Sequence, residues 1–456
     1  AFCDDNGFDP DPRLLYEVPS DGEYEIEVRD ALYRGREDFV YRLVVAEAAP
    51  GGEPLGLTPM APWGGELPEC VEAEPNDGLE RAQSVRLPVC VSGRIERAGD
   101  VDVYRFDGRA GETVVAEVSA RRLGSELDSL VRLMDGAGKI IAWNDDSPDP
   151  GAGLITHHAD SYVRAELPAD GPYFVRVSDV QQHGGERYGY RLRLSGPRPD
   201  FALRVTPSSL SIPAGRSAAA TVHAIRKDGF DGEIEVSLAD APAGYALAGG
   251  RVPAGLDSIR ITVSAPKQPF GRPVSLRLQG TAAIAGQMVI HEAVPAEDMM
   301  QAFAYRHLVP SMELLATTTG LGGRVPTVSW ADAGPVRVPA GGSVQVRVNS
   351  PAGPLLSMVR LSLSEPPAGI ALDGVEPVPG GLLLTLSAGS DSPPAGYVDN
   401  LIVELYAELE TKAQGGKPAT TRRVAAGVLP ALPFEIVAQA EAADRAPRAS
   451  RAGWRR

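Results

Sequence analysis

The sequence predicts an all-β chain of tandem β-sandwiches, and three observations predict it. Glycine and proline supply 50 and 40 of the 456 residues, a share that favours short strands and turns over long helices. Stretches such as Glu233-Ile234-Glu235-Val236 and Val344-Gln345-Val346-Arg347-Val348 alternate with the period of two expected of half-buried strands. The chain also repeats itself twice, with Pro-Ala-Gly as turn punctuation in the second pair. A hydrophobic content of 43% gives each domain enough apolar surface for a core.

The first repeat runs at an offset of 149 residues. Pro19-Ser20-Asp21-Gly22-Glu23-Tyr24 matches Pro168-Ala169-Asp170-Gly171-Pro172-Tyr173, and Tyr41-Arg42-Leu43 matches Tyr190-Arg191-Leu192. Residues 1–46 therefore read as the C-terminal strands of a domain whose first half is missing. Residues 47–70, rich in proline, glycine and alanine without a period, read as a linker. Residues 71–196 form the complete copy.

The second repeat pairs Ile212-Pro213-Ala214-Gly215-Arg216-Ser217 with Val338-Pro339-Ala340-Gly341-Gly342-Ser343, and Pro242-Ala243-Gly244 with Pro367-Ala368-Gly369. Two similar sandwiches are expected, at 199–325 with a connector and at 326–437. The composition near Ala296 to Leu315, rich in methionine, glutamate and alanine, suggests a short helix. Residues 438–456, with five arginines, read as a solvated disordered tail.

Charge excludes some functions. Lys+Arg 44 against Asp+Glu 60 leaves −16, which argues against a nucleic-acid-binding surface and for solubility or attraction of cations. No run approaches the ~18 apolar residues that span a bilayer, so no membrane span is expected in this chain. No charged-then-apolar leader opens it, which says little because the repeat places residue 1 inside a domain.

The segment Glu72-Ala73-Glu74-Pro75-Asn76-Asp77, followed by Gly99-Asp100-Val101-Asp102-Val103-Tyr104, carries the chemistry. Side chains two apart in extended chain point the same way, so Glu72, Glu74 and Asn76 present three oxygens on one side, and Asp77 adds a fourth at the turn. Asp100 and Asp102 supply further oxygens from the start of a neighbouring strand. Six to eight hard oxygen ligands without histidine or cysteine suit Ca²⁺ better than Zn²⁺. The same spacing also describes an acidic, solvated linker with an Asx turn at Asn76-Asp77.

The order Glu-Pro-Asn-Asp at 74–77, Gly-Asp-Val-Asp-Val-Tyr-Arg-Phe at 99–106, Leu-x-Asp-x-x-Gly at 133–138, Asn144-Asp145-Asp146 and Asp170-Gly171-Pro172-Tyr173-Phe174-Val175-Arg176-Val177 resembles the bacterial pre-peptidase C-terminal domain. The resemblance covers about residues 71–196, with the truncated copy at 1–46. It implies a jelly-roll-like β-sandwich of the kind found on secreted proteases and other exported bacterial proteins, including calcium-dependent collagen-binding domains. Calcium ligands in those members come from a Glu-x-Glu-x-Asn-Asp segment, matched by Glu72, Glu74, Asn76 and Asp77. Aspartates before the following tyrosine strand complete the set, matched by Asp102 and Asp100.

Collagen does not carry over. Tyr188 and Tyr190 share a face by spacing, but that is also the pattern of half-buried packing residues. Residues 199–299 and 326–437 resemble immunoglobulin-like sandwiches in architecture only. In an exported protein a Cys70–Cys90 bond would close a loop around the acidic segment, with a stabilisation of ~3 kcal/mol; the alternative is two free buried thiols. Cys3 aligns with Asn144 and falls in a turn.

Catalytic constellations are missing from the sequence. His291-Glu292-Ala293-Val294-Pro295 lacks the second histidine of a zinc-protease helix, and neither a Gly-x-Ser-x-Gly elbow nor a phosphate loop occurs. His157, His158, Asp160 and Ser161 are sequence neighbours, whereas a triad needs convergence of separate elements. Asp128, Asn144, Asp145 and Asp160 fall at strand ends, where turns prefer such residues. The expectation is a non-catalytic exported or cell-surface protein, extracellular or in the cell envelope. It would carry a calcium-stabilised module for an extracellular protein or glycan ligand. The alternative is the accessory C-terminal region of a secreted peptidase whose catalytic domain lies upstream.

Overall fold

The computed structural model describes residues 14, 16, 18–29, 43, 45, 67–149, 151, 159–268, 271–301, 305–320, 328–332, 334–349, 359–411 and 420–439. Among them lie 31 strands against a single three-residue 3-10 turn, Arg121–Leu123, so the chain is all-β as its composition predicts. Cys3, His157, His158, most of the 47–70 segment and nearly all of the tail lie outside the described residues. The chain divides into two compact units: Ala1–Phe201 with Ile225–Phe230 and Glu297–Pro310, and the remainder.

The first unit contains a sandwich of ten strands: β1 (Glu69–Val71), β2 (Gln83–Ser84), β3 (Val89–Arg94), β4 (Val101–Gly108), β5 (Thr113–Ser119), β6 (Ser129–Met134), β7 (Ile140–Asn144), β8 (Tyr162–Glu166), β9 (Gly171–Asp179) and β10 (Gly189–Ser195). They form two sheets, ordered β1-β3-β10-β5-β8 and β2-β4-β9-β6-β7. Alternation decides which side chains enter the core between them. On β10, Tyr190, Leu192 and Leu194 are buried in it while Arg191 and Arg193 take the other face; on β4, Tyr104 and Phe106 point inward. Burial of such side chains contributes roughly 1.5–3 kcal/mol each. The Tyr173 hydroxyl donates to the Ala169 carbonyl at 2.6 Å, and its ring stacks on Phe106 at 5.8 Å between centroids, which fixes the turn into β9.

Register decides the cysteine question. β1 runs parallel to β3 with Cys70 opposite Val91 and Glu69 opposite Cys90. Cys70 therefore faces the core with Val91, and Cys90 the outer face, where the Arg191 guanidinium donates to its Sγ at 3.4 Å. A one-residue stagger puts adjacent side chains on opposite faces, and both thiols are free. Alkylation in denaturant without reductant, followed by peptide mapping, is expected to modify both Cys70 and Cys90; a disulfide-linked peptide containing the two would contradict this register.

The second unit shows the later repeat in three dimensions. Strand Ser209–Pro213 pairs in parallel with Leu314–Thr319, and strand Val336–Pro339 with Leu432–Val437. Each first strand ends in the same turn: Arg216 N–H donates to the Pro213 carbonyl at 2.8 Å and Gly342 N–H to that of Pro339 at 2.9 Å. The Pro-Ala-Gly turns also match, with Gly244 and Gly369 at φ of 92° and 71°, a region that favours glycine. Val338, Leu386, Leu432, Phe434 and Ile436 form the later core.

The described residues of the segment expected to be helical form no helix. Gln287–Gln301, Tyr305–Pro310 and Leu314–Thr319 are strands. Met, Glu and Ala are helix formers only as a weak prior, and here pairing prevails: Leu203–Val205 aligns with Ala293–Pro295, and Leu315 to Thr319 with Ser209 to Pro213.

Candidate metal centre

The acidic segment begins where β1 ends. Glu72 N–H donates to the Ser92 carbonyl at 2.9 Å, so the chain keeps following β3, and a Glu72 carboxylate oxygen accepts from Arg94 N–H at 2.8 Å. Four residues on, the Asn76 amide nitrogen donates to the other Glu72 oxygen at 2.9 Å, and Asn76 N–H to Glu74 at 2.9 Å. The Asn76 carbonyl then accepts from Val103 N–H at 3.1 Å, which lays the segment against the start of β4. The Glu-x-Glu-x-Asn spacing thus folds as a clip between the two sheets.

Asp102 meets the clip from β4. It alternates inward with Tyr104 and Phe106, is wholly buried, and accepts the Tyr190 hydroxyl, which lies 2.6 Å from the Tyr104 hydroxyl. Oxygens of Glu72, Glu74 and Asp102 all lie within 4.8 Å of one another. Close approach here requires glycine at position 93, where a Cβ would stand 2.5 Å from the Tyr190 ring and 3.0 Å from Glu72. Asp100 and Asp77 sit at the margin. Asp100 accepts Glu96 N–H at 2.7 Å, and the Arg97 guanidinium reaches Asp77 at 3.2 Å and Asp100 at 3.8 Å.

Electrostatics show a site short of positive charge. Burial, then a hydrogen bond shared with Glu72 and the charges of Glu72 and Asp100, push the Asp102 carboxyl up to about 9, although the Tyr190 hydroxyl pulls the other way. Burial also raises Glu74, which Asn76 N–H partly offsets and the neighbouring carboxylates reinforce. Three buried oxygens, Asn76 Oδ1, Asp100 Oδ1 and Asp102 Oδ1, have no hydrogen-bond partner. Buried polar atoms are normally satisfied, so these oxygens, one of them on Asp102, together with the carboxylates of Glu72 and Glu74 match the donor set of a hard cation. The residues present fit Ca²⁺.

Tyr190 escaped sequence reasoning as part of this centre. Its burial agrees with the packing alternative for the 188/190 pair, but its hydroxyl supports Asp102, a contact across 88 residues that only the inward period of β4 and β10 could have suggested. Aspartates and asparagines at other strand ends do structural work. Asp160 accepts from the backbone of Ala120, Arg121 and Arg122 and from the Arg122 side chain, and Asn144 accepts from Tyr162 N–H. On the outer face of the second sheet, Leu130, Arg132, Ile140, Trp143, Asp145 and Val180 line a cleft of about 270 Å³ beside a Trp143 that is 60% exposed.

A β-sandwich with an acidic clip at its edge is the class this geometry defines. Residues 100–179 match the family model of the bacterial pre-peptidase C-terminal domain, and the sandwich is such a domain. A probable subtilase-type serine protease of Deinococcus radiodurans is 38% identical over 112 residues, which are 23% of this chain and 14% of that protein. The chain thus matches a small fraction of that relative's length. Among solved structures, the pre-peptidase C-terminal domain of a Bacillus anthracis collagenase is 13% identical, covering 27% of this chain and all of that one at a TM-score of 0.21. The D0-D1 domain of intimin is 11% identical, covering 52% and 97% at a TM-score of 0.17. Among the described residues no helix is long and apolar enough to cross a membrane.

Proposed function

We propose that the chain is a non-catalytic region of an exported protein in which Ca²⁺ stabilises the sandwich at residues 69–195. The supporting observation is the convergence of Glu72, Glu74 and Asp102, with buried oxygens of Asn76, Asp100 and Asp102 itself left without a hydrogen bond. Glu72, Glu74, Asn76 and Asp102 would hold the ion, with Asp100 and Asp77 at its margin. A bound Ca²⁺ supplies the positive charge that the clustered carboxylates lack, which fixes the clip of residues 72–77 onto β4. Because the ion binds the folded arrangement, it stabilises that arrangement by mass action.

The resemblance to a subtilase-type protease supports a second reading, compatible with the first: an accessory region of a secreted peptidase, acting outside the cell or in its envelope. In either setting the exposed Trp143 and its cleft would offer a contact face for an extracellular protein or glycan. Calorimetric titration of the whole chain with CaCl₂ is expected to show saturable binding, lost in a Glu72→Gln, Glu74→Gln double variant. Absence of binding in the parent would remove the calcium reading and leave the accessory-region reading to stand on the protease match alone.

A further inference from the structure

The outer face of the second sheet carries a row of side chains from three strands. Arg176 of β9 lies opposite Arg132 of β6, and Arg132 lies opposite Trp143 of β7. Directly opposed residues share a face, so two guanidinium groups and an indole start from backbone positions within two strand spacings, about 10 Å. Next to this row Val103, Met134 and Phe174 are covered by Ala82, whereas Leu130, Ile140 and Val180 line the cleft with Arg132 and Trp143.

The row is unfavourable as it stands, because like charges directly opposite on adjacent strands repel. Among the described residues neither Arg132 nor Arg176 meets a carboxylate, whereas Arg105, Arg191 and Arg193 on other strands of the sandwich each do. Arg176 Nε is buried without a hydrogen bond, although buried donors are normally satisfied. Burial, and after it the charge of Arg132, draws the Arg176 guanidinium below its ordinary range. The pair is short of acceptors, and a planar oxyanion seated between the two forks supplies them.

Neighbouring groups define the rest of the ligand. The Trp143 side chain, 60% exposed, is a flat apolar plane one strand away from Arg132. Asp145 lines the same cleft and accepts hydroxyl groups. An acidic peptide brings the oxyanion without an apolar plane or hydroxyl donors beside it, and its further carboxylates meet Asp145 unfavourably. A sugar acid brings all three: a carboxylate on the ring, an apolar face of ring C–H groups and hydroxyls around the rim. The cleft, about 270 Å³, lies below the ~300 Å³ at which pockets for drug-sized ligands begin, and suits a single ring.

We propose that Arg176, Arg132 and Trp143 bind a uronic-acid residue of an acidic polysaccharide, with the carboxylate held by the two arginines and the ring stacked on the indole. The proposal rests on the reading of the Trp143 cleft as a contact face and is independent of the calcium reading.

Calorimetric titration of the whole chain tests it with tetragalacturonate, tetramannuronate, the methyl ester of each, and hexaglutamate. Free calcium is matched in both solutions, so that calcium binding by the uronates cancels. At least one acid is expected to bind about tenfold or more tightly than its ester, with affinity falling as salt is added. Arg132→Gln and Trp143→Ala are each expected to weaken that binding by about tenfold while leaving the melting temperature nearly unchanged. The comparison of acid with ester uses the parent alone, so it decides even where a variant fails to fold. Equal binding of acid and ester, lost in Trp143→Ala, overturns the charge assignment and leaves the contact face standing. Binding that persists unchanged in Trp143→Ala removes the contact-face reading as well. Hexaglutamate binding as tightly as the acids overturns the proposal in favour of an acidic peptide, and silence of both acids toward the parent overturns it outright.

Discussion

Replacing Asp102 by asparagine is expected to remove the whole calcium-dependent increment in the sandwich's melting temperature while changing the ion-free melting temperature by only a few degrees. Without an ion, burial and the adjoining Glu72 push the Asp102 carboxyl up to about 9, so at pH 7 it is held as the neutral acid. Asparagine has nearly the same shape and still accepts the Tyr190 hydroxyl. It lacks the charge that a hard cation requires. In the parent, calcium at a hundred times its Kd adds about 2.7 kcal/mol, which for a domain of this size raises the melting temperature by about 10 °C.

The pH dependence separates the two proteins further. A carboxyl whose folded pKa is raised stabilises the fold fully below the ordinary carboxylate range, and that contribution is lost as pH rises through the folded value near 9. The ion-free parent therefore loses stability from mildly acidic to alkaline pH, and the asparagine variant lacks this component of the slope. Calorimetric scans in chelator and in calcium, at several pH values, measure both effects. A parent indifferent to chelator, or a variant that keeps the increment, would sink the assignment.

The sequence showed the all-β class and the acidic clip because both rest on short-range patterns. Alternation at period two places Tyr190 and Leu192 inward without knowledge of the partner strand, and Glu72, Glu74 and Asn76 lie within five residues of one another. Contacts that join distant strands were not legible. The hydroxyl of Tyr190 on Asp102 and the guanidinium of Arg97 between Asp77 and Asp100 depend on register, which no local signal encodes. The same lack hid the stagger that separates Cys70 from Cys90. At 296–315 a local signal misled, since helix-forming residues lie in strands set by their neighbours.

Arg193→Met is expected to destabilise the first unit by about 3–5 kcal/mol, the usual cost of leaving buried charges without their partner. Arg193 lies on the outer face of β10, yet it is only 3% exposed. Its guanidinium donates to both Asp228 oxygens at 2.7 and 3.0 Å, and to Glu117 at 2.7 and 3.0 Å. Asp228, in the turn that follows strand Ser217–Lys227 and within the Ile225–Phe230 segment grouped with this unit, also accepts Arg198 N–H at 2.7 Å and the Tyr162 hydroxyl at 2.9 Å. A lysine at 193 would not rescue the site, because one ammonium cannot reproduce the planar fork that serves two carboxylates.

Acid titration gives this prediction its sign. Burial on its own would raise the Asp228 carboxyl, but the Arg193 and Arg198 hydrogen bonds and the Arg193 charge outweigh it and hold the group below the ordinary carboxylate range. A depressed carboxylate stabilises the fold above its unfolded pKa of about 3.9 and loses that contribution as pH falls through the folded value. In the methionine variant the burial persists without the arginine, so Asp228 moves above the ordinary range and the variant is least disfavoured in acid. The stability gap between parent and variant is therefore expected to be largest near pH 7 and to shrink toward pH 4, as read by denaturant unfolding across that range. Adding Glu117→Gln and Asp228→Asn to Arg193→Met removes the stranded charges and is expected to recover most of the loss. A gap that is flat with pH, or unchanged in the triple variant, would mean that the arginine acts through packing of its stem and not through the two carboxylates it joins.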